Sequence, residues 1–448
     1  MPNFEDTEPV LSANTRSYVG ETAFEDDRLD RRPLAEKLTG YLSRLNDGAV
    51  LAIDAQWGEG KTWFGKNWAK HLEDSSYKVI YIDAFEQDYV EDPFMLITSE
   101  ILSIVDDAVL IEEKLKKSGI EVGKALLPVA GKVLVNFVGR VALGSSDLSG
   151  EVQEAVEAGT ANVADSASEY IKENLESYGK DKVVMGEFKM QLAEFAQTQD
   201  KPIVIFIDEL DRCKPNFAVN LVERIKHFFD VPNIVFVLLL NRDQLEKAIK
   251  GVYGSETDAS AYLGKFVNFF FALPKPAQNR HDSERKLNRF IELTMQKYKF
   301  RREEQHTGFL NYIKFWAPRF DMSLRDIEKA TALYAFAYPM GDITYLLSYL
   351  IVLKVKKLSL FNQLRIGNIQ AHQTAKEYIE NLIKEDARDN GGQSERVYAF
   401  YLEWHEAHVN GFTNLGETFG PTNISMWHIE HKNLFSVLSK KIELEIER

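Results

Sequence analysis

The chain contains a single cysteine, Cys213, among its 448 residues. A framework of disulfides within one chain is therefore excluded, and we expect a reducing, cytoplasmic environment. No apolar core of a signal peptide occurs in residues 1–26, which are polar and rich in acids. We expect this segment to be a flexible leader.

Long hydrophobic runs are also lacking. The nearest approach to one, residues 122–143, is interrupted at intervals of eight residues by Lys124, Lys132 and Arg140. Its apolar stretches are far shorter than the roughly 18–20 residues that cross a bilayer, so we expect no transmembrane segment. An amphipathic helix on the protein's own core is favoured over one lying on a membrane or partner surface.

The chain also lacks an excess of positive charge, because its 54 basic residues are outnumbered by 68 acidic ones and its net charge is −14. This balance argues against bulk electrostatic attraction to nucleic acid or anionic lipid, although it leaves room for a local basic patch. Hydrophobic residues make up 45% of the chain, enough to bury more than one core.

An apolar run at 49–53 leads into AQWGEGKT at 55–62, and an amphipathic helical pattern follows. Strand, glycine-rich loop and helix in this order are what a loop binding a nucleotide triphosphate requires. Ala55 stands where the first glycine of such a loop is expected, which is tolerable if its φ is negative. The sequence therefore predicts nucleotide binding here.

Each residue type in the loop has a chemical reason. Gly58 and Gly60 let backbone N–H groups turn toward phosphate oxygens. Lys61 can reach the β- and γ-phosphates, and the Thr62 hydroxyl can ligate Mg²⁺. The predicted nucleotide-binding residues are Trp57, Gly58, Glu59, Gly60, Lys61, Thr62 and Trp63.

A second motif follows the apolar, largely β-branched run at 203–207, which is typical of a strand buried on both faces. Asp208 and Glu209 come directly after it, at the end of a strand where α/β proteins place ligands. We predict that Asp208 holds Mg²⁺ opposite Thr62 and that Glu209 activates the attacking water. The alternative is a helix N-cap with an acidic first turn.

The roles of four further residues stay open. Asp211 could support the metal site, and Arg212 could face a neighbouring subunit or form a surface ion pair. Asn241 or Asp243, after the strand at 234–240, could contact the γ-phosphate if that strand lies between the two motif strands. Turn formation accounts for Asn241 and Asp243 equally well.

The predicted fold class is α/β, a parallel P-loop NTPase sheet with a helical insertion between the nucleotide motifs, a helical lid and an α-helical C-terminal region. Strands are predicted at 49–53, 77–83, 203–207, 234–240 and 269–273. The predicted domains are the ATPase core at 27–275 with the insertion at 100–195, the lid at 276–340, and the C-terminal region at 341–448. The segment 27–33 is the candidate seat for adenine.

Five segments carry a family resemblance: WGEGKT at 57–62, DAFEQDY at 83–89, FIDELDRC at 206–213, the stretch 261–274 that begins AYLGKF and closes on LP, and SLRDIE at 323–328. On these, the chain resembles the KAP family of P-loop NTPases, a division of the STAND branch of AAA-like ATPases, over about residues 27–335. Many members carry transmembrane helices in the insertion, whereas the charges here indicate a soluble bacterial member.

The resemblance implies an ATP-driven switch that moves the lid and changes an assembly, with protein partners and a homo-oligomer expected. It implies Arg325 as a lid residue that senses the γ-phosphate, against an exposed ion pair with Asp321 or Glu328. It also implies a role in bacterial defence against phage. The alternatives are a nucleotide-gated scaffold with negligible turnover and an ATPase stimulated by nucleic acid.

The last alternative depends on residues 274–302, where basic residues outnumber acids and aromatic rings are interleaved. Such a stretch could contact phosphates and bases, but a solvated lid helix is favoured. His405 and His408 near the C-terminus could chelate a metal, yet they match no metal pattern. A packed aromatic region is the simpler interpretation.

Overall fold

A computed structural model describes most of the chain. The described residues are 20–25, 27–45, 47–90, 92–105, 110–126, 183–228, 231–274, 280–296, 298, 303–337, 344–390, 395–410 and 431–443. Most of the predicted leader, residues 127–182 of the insertion, and 275–279, 297 and 299–302 of the basic stretch lie outside them. The described residues form two compact units, which meet in sequence after Pro274.

The first unit is built on one parallel sheet. Its strands are β1 (Ala49–Asp54), β2 (Val79–Asp83), β3 (Ile203–Asp208), β4 (Ile234–Leu240) and β5 (Phe269–Ala272). Their order across the sheet is β2-β3-β4-β1-β5, and every pairing is parallel. The predicted α/β fold with a parallel P-loop sheet is confirmed.

Helices cover both faces of this sheet. They are α1 (Arg32–Leu42), α2 (Lys61–Asp74), α3 (Pro93–Ser103), α4 (Leu110–Leu126), α5 (183–197), α6 (Pro215–Ile225), α7 (Arg242–Tyr253) and α8 (Ala259–Leu263). Short 3₁₀ turns follow β3 at Leu210–Arg212 and α6 at Lys226–Phe228. The described parts of the insertion, α3 to α5, are helical as predicted.

The central strands are buried on both faces, as their apolar sequences require. Alternate residues of β3 and β4, such as Val204 and Val237, pack with α1 and α2 in one core. The intervening residues, such as Ile205 and Leu238, pack with α3 to α8 in the other. The two faces of the sheet therefore carry different helices. The helix that begins at the phosphate loop is on the first face, and the described helices of the insertion are on the second.

Helices and the turns between them make up the described part of the second unit. It contains α9 (Arg280–Gln296), α10 (Glu303–Arg319), α11 (Leu324–Ala337), α12 (Thr344–Lys356), α13 (Leu358–Arg365), α14 (Ile369–Asn390), α15 (Glu395–Asn410) and α16 (His431–Ile442). The predicted α-helical C-terminal region is confirmed. Across the described part of both units, no helix combines the length and apolar character needed to cross a membrane.

A buried histidine cluster joins three helices of the second unit. His372 Nδ1 lies 2.9 Å from His405 Nδ1, so one ring donates and the other accepts, and Tyr349 Oη lies 2.9 Å from His405 Nε2. The ring of His408 stacks on that of His372 with centroids 4.1 Å apart. Burial lowers the pKa of all three, that of His372 to about 3 and that of His405 well below its usual value.

We expect this cluster to make the second unit sensitive to acid. The folded state keeps these histidines neutral, while the unfolded chain takes up protons below a pKa of about 6.5. Stability is therefore unaffected above that pH and falls below it, by up to about 2 kcal/mol per histidine at pH 5. His372→Gln should flatten the decline in melting temperature between pH 7.5 and 5, measured by calorimetry. The control His71→Gln lies outside the cluster, and an equal flattening there would refute the assignment.

Candidate functional site

The backbone of the loop has the shape that its glycines predict. Gly58 has φ 85° and Gly60 has φ 78°, both in the left-handed region that glycine occupies without steric cost. Ala55, in contrast, is not one of the described residues that have a positive φ. The condition on which an alanine was acceptable at this position is therefore met.

Lys61 lies inside the loop and is only 8% exposed. Its Nζ donates to the carbonyl oxygens of Ala55 at 2.7 Å and Gln56 at 3.3 Å. Burial lowers the pKa of its ammonium, and the carboxylates of Asp211 and Glu209 oppose that shift. The loop thus encloses a cation at the N-terminus of α2, where the helix dipole adds further positive potential.

The sheet brings three chain segments to one edge. Strand β4 lies between β1 and β3, the arrangement required by the prediction for Asn241. Asp54 pairs with Leu240, and Asp208 pairs with Leu239, so the three strands end level with one another. Neighbouring strands are about 4.8 Å apart, and polar side chains at their ends therefore come within reach of each other.

Thr62 and the two carboxylates after β3 meet at this edge. The Thr62 hydroxyl donates to Glu209 Oε1 at 3.1 Å. Asp208 is 1% exposed, and it accepts from the Tyr81 hydroxyl and from the backbone N–H of Glu209, both at 2.8 Å. Burial raises the pKa of both carboxyls, and the Thr62 hydroxyl works against that rise in each.

Glu209 has an unusual backbone. Its φ of 59° is left-handed, a conformation that costs a non-glycine residue roughly 1–2 kcal/mol and tends to occur at functional sites. Its Oε2 forms an ion pair with Arg212 in the following 3₁₀ turn. Of the two uses considered for Arg212, the structure therefore shows an ion pair within the chain.

A polar link connects the loop to the ends of β3 and β4. The Trp57 indole N–H donates to Asp211 Oδ2, although the ring itself is 46% exposed. Asp211 Oδ1 accepts from the backbone N–H of Asn241 at 3.0 Å. Both oxygens of Asp211 are thus engaged in holding neighbouring segments in place.

Asn241 serves as the N-cap of α7. Its Oδ1 accepts from the backbone N–H of Gln244 at 3.3 Å, and the residue is 6% exposed. The turn-forming interpretation therefore holds, and the side chain is nevertheless at the edge where the loop and carboxylates meet. Asp243 is exposed in the first turn of α7.

Two predicted nucleotide-binding residues, Glu59 and Trp63, are engaged by the protein itself. Glu59 is 5% exposed. Trp63 packs edge-on against Phe24, with ring centroids 5.7 Å apart. A nucleotide contact from either of these two residues remains a prediction.

Arg325 belongs to the second unit, in the first turn of α11, and is exposed. Its neighbours Ser323 and Asp326 form a reciprocal cap of that helix, with Ser323 N–H donating to Asp326 at 3.0 Å and Asp326 N–H donating to Ser323 at 3.2 Å. Lys356 pairs with Asp326 at 3.1 Å. The SLRDIE segment thus has a structural role, and phosphate sensing by Arg325 remains a prediction.

Sequence reasoning missed Tyr81 and did not foresee the contacts of Arg31. Tyr81, which holds Asp208, lies on β2, and its only sequence signal is its place two residues before Asp83 at the end of that strand. Arg31 lies in the predicted adenine seat, yet it donates to the loop backbone at Glu59 and Gly60. Neither contact follows from periodicity, because each joins segments distant in the chain.

The donor set suits Mg²⁺ and a triphosphate. A hydroxyl and carboxylates are hard oxygen ligands, and protein magnesium sites typically combine one or two carboxylates with substrate phosphates. The left-handed glycines and the enclosed Lys61 suit an anion. Within the described residues, no group of three or more His, Cys, Asp or Glu side chains is placed to hold a metal by itself.

We expect Trp57 and Asp211 to stabilise the first unit as a pair. Trp57→Phe keeps an aromatic side chain but removes the N–H donor, and Asp211→Ala removes the acceptor. Because both changes remove the same bond, the loss of stability in the double variant should be smaller than the sum of the two single losses, by about 1 kcal/mol. Urea unfolding of the four proteins measures it. Strictly additive losses would show that the bond contributes nothing.

Comparisons with known proteins find several to which the chain is similar. One curated relative is the phage T7 exclusion protein of Escherichia coli strain K12, 24% identical over 96 residues, which span 21% of this chain and 13% of that protein. Among solved structures, the chain is similar to the ORC2 protein of Aeropyrum pernix in its ADPNP-ADP complexes, with a TM-score of 0.35, 14% identity and coverage of 98% of this chain and 97% of that one.

The ADP form of the same ORC2 protein gives a TM-score of 0.34 at 12% identity, covering 96% of this chain and 97% of that one. The KAP family P-loop domain matches residues 31–338. The match begins at Arg31, runs through the loop, both carboxylates and Asn241, and takes in α11 of the second unit. Since it covers well over half of the sequence, the chain belongs to the KAP family of P-loop domains.

Proposed function

We propose that this protein binds and hydrolyses ATP with Mg²⁺ and that the cycle switches an assembly. The observation that carries the proposal is the contact between the two motifs: the Thr62 hydroxyl of the phosphate loop lies 3.1 Å from Glu209 Oε1, beside the buried Asp208. A loop that only closed a strand–helix turn would have no need of carboxylates at this place.

The residues divide the work by their chemistry. The backbone N–H groups of the loop and the Lys61 ammonium would bind the phosphates. Thr62 and Asp208 would hold Mg²⁺, which when bound would neutralise charge developing on the phosphate oxygens. Glu209 would orient the attacking water and accept its proton, and Asn241 would contact the γ-phosphate through its amide.

The switch is proposed from the family and from the curated relative. A nucleotide-dependent assembly is the typical output of STAND and AAA-like ATPases, the branch to which we assign this chain. The similarity to the phage T7 exclusion protein supports a role in bacterial defence against phage. Arg325 is proposed to read the γ-phosphate from the lid, within this subunit or across a homo-oligomer. A cytoplasmic location remains a prediction from the single cysteine.

One observation favours a second candidate, a nucleotide-gated scaffold with negligible turnover. The Glu209 carboxylate is engaged at both oxygens, by Thr62 at Oε1 and by Arg212 at Oε2. A general base must have an oxygen within reach of the water that it deprotonates. If these two contacts persist in the ATP-bound protein, Glu209 holds the loop closed and does not activate water.

Steady-state phosphate release separates the two functions. If Glu209 is the base, Glu209→Gln should lower kcat by roughly 10²–10⁴-fold while leaving ATP affinity nearly unchanged. Lys61→Ala should weaken ATP binding by tenfold or more, since it removes the enclosed cation. Glu36→Gln on α1 is the matched control and should behave as wild type. A wild type no faster than Glu209→Gln would establish the scaffold.

The switch itself predicts a change of mass. Glu209→Gln in ATP should retain the triphosphate and therefore accumulate the assembled form, whereas the same variant in ADP should not. Light scattering coupled to size-exclusion chromatography measures the difference, and Lys61→Ala in ATP serves as the control that cannot respond. Equal masses for Glu209→Gln in ATP and ADP would contradict an assembly switch of this chain alone.

A further inference from the structure

An arginine outside the loop holds the loop's backbone. Arg31 immediately precedes α1 and is 3% exposed. Its Nη2 donates to the carbonyl oxygen of Glu59 at 2.7 Å, and its Nη1 donates to that of Gly60 at 3.3 Å. The planar guanidinium suits this task, because its donors form a rigid fork that can span two successive carbonyls.

These two contacts fix the direction of two amide groups. Within one planar peptide unit, the C=O and the N–H of the next residue point in opposite directions. Holding the Glu59 carbonyl therefore orients the N–H of Gly60, and holding the Gly60 carbonyl orients the N–H of Lys61. The left-handed φ of 78° at Gly60 belongs to this same arrangement. Backbone amides in such a loop are the groups that cradle phosphate.

Arg31 is itself held in place before it reaches the loop. Asp27 accepts from the backbone N–H of Leu29 at 3.3 Å and of Arg32 at 2.8 Å, which closes the turn that contains Arg31. Pro33 then lies in the first turn of α1, and Ala35 and Leu38 anchor the helix in the core. The guanidinium is thus presented from a rigid element.

Burying the Arg31 guanidinium costs desolvation free energy that its neighbours only partly offset. Desolvation lowers the pKa of Arg31 to about 10, with the charges of Glu59 and Asp27 opposing, so it stays cationic at neutral pH. Its Nε is buried without a hydrogen-bond partner among the protein atoms. Buried donors of this kind are rare and call for an explanation. A cation needed behind an anion-binding loop supplies one.

We infer that Arg31 is a positioning residue for the phosphate groups of the nucleotide: it pre-orients the Gly60 and Lys61 amides toward them and adds a fixed positive charge behind the loop. This inference rests on the proposed function, since it concerns the same nucleotide. A positioning role and an adenine seat have different consequences. As a positioning residue, Arg31 affects nucleotide affinity through the phosphates and not through the base.

The test compares two probes on the full chain with Mg²⁺ present, a slowly hydrolysed ATP analogue and inorganic tripolyphosphate, the latter as competitor of a fluorescent nucleotide. Arg31→Lys keeps the charge but lacks the fork. We expect it to weaken both probes by a similar factor, roughly ten- to a hundredfold, with little change in the melting temperature of the nucleotide-free protein. Arg44→Lys, at an exposed arginine just after α1 and outside the segment 27–33, is the control and should bind as wild type.

The outcomes are distinct. Weakening of the ATP analogue alone, with tripolyphosphate unchanged, would overturn the inference in favour of a contact with the base. Unchanged binding of both probes would overturn it while leaving the proposed function standing. A wild type that binds neither probe would overturn both. If Arg31→Lys does not fold, Asp27→Asn becomes the test variant. It should weaken both probes several-fold by loosening the turn, and unchanged binding there would equally refute the inference.

Discussion

The site depends on the level alignment of β1, β4 and β3. These strands carry the phosphate loop, Asn241 and the two carboxylates at their carboxyl ends, and the register pairs Asp54 with Leu240 and Asp208 with Leu239. A shift of one residue in either pairing would move a side chain to the opposite face and displace the strand end by about 3.3 Å. Burial of both faces prevents such a shift, because the apolar residues of β4 are fully enclosed. The chemistry of the edge is therefore a consequence of core packing.

At the carboxyl ends of these strands, nearly every polar group forms a hydrogen bond with another. Lys61 is held by loop carbonyls, Thr62 by Glu209, and Asp208 by Tyr81. Groups fixed in this way need little reorganisation when a ligand arrives, which is the physical basis of preorganisation. Glu209 differs from these residues, because it combines a left-handed backbone with an ion pair to Arg212. Its conformation and its contacts would have to change most if it were to activate a water. Whether that change occurs divides an ATPase from a scaffold.

The sequence predicts the parts of this structure that are local. Five strands, the phosphate loop and the acidic pair are visible because apolar runs, glycines and turn residues act within a few positions. The partners of those residues are not visible, since Tyr81 and Asp208 are 127 positions apart and Trp57 and Asp211 are 154 apart. Asn241 shows a second limit of sequence reasoning. Its side chain caps α7 and also lies at the site, so turn formation and a contact with the γ-phosphate do not exclude each other. The segment 27–33 stays a predicted adenine seat, and the contacts of Arg31 with the loop carbonyls were not foreseen, because a run of charges before a helix does not reveal which atoms it reaches.

The two-faced burial of the sheet has a consequence for how the chain can vary. The segment between Asp83 and Ile203 leaves and rejoins the sheet at β2 and β3, and its described helices pack only on the face opposite α1 and α2. The entropy of closing such an excursion grows only logarithmically, by about 0.6 kcal/mol for each doubling of its length. A change in chain length between α4 and α5 therefore costs the nucleotide site little, because α3 to α5 still cover their face of the sheet and Asp83 stays paired with Asp208. That stretch is where this protein can change in length without disturbing its phosphate loop or its carboxylates.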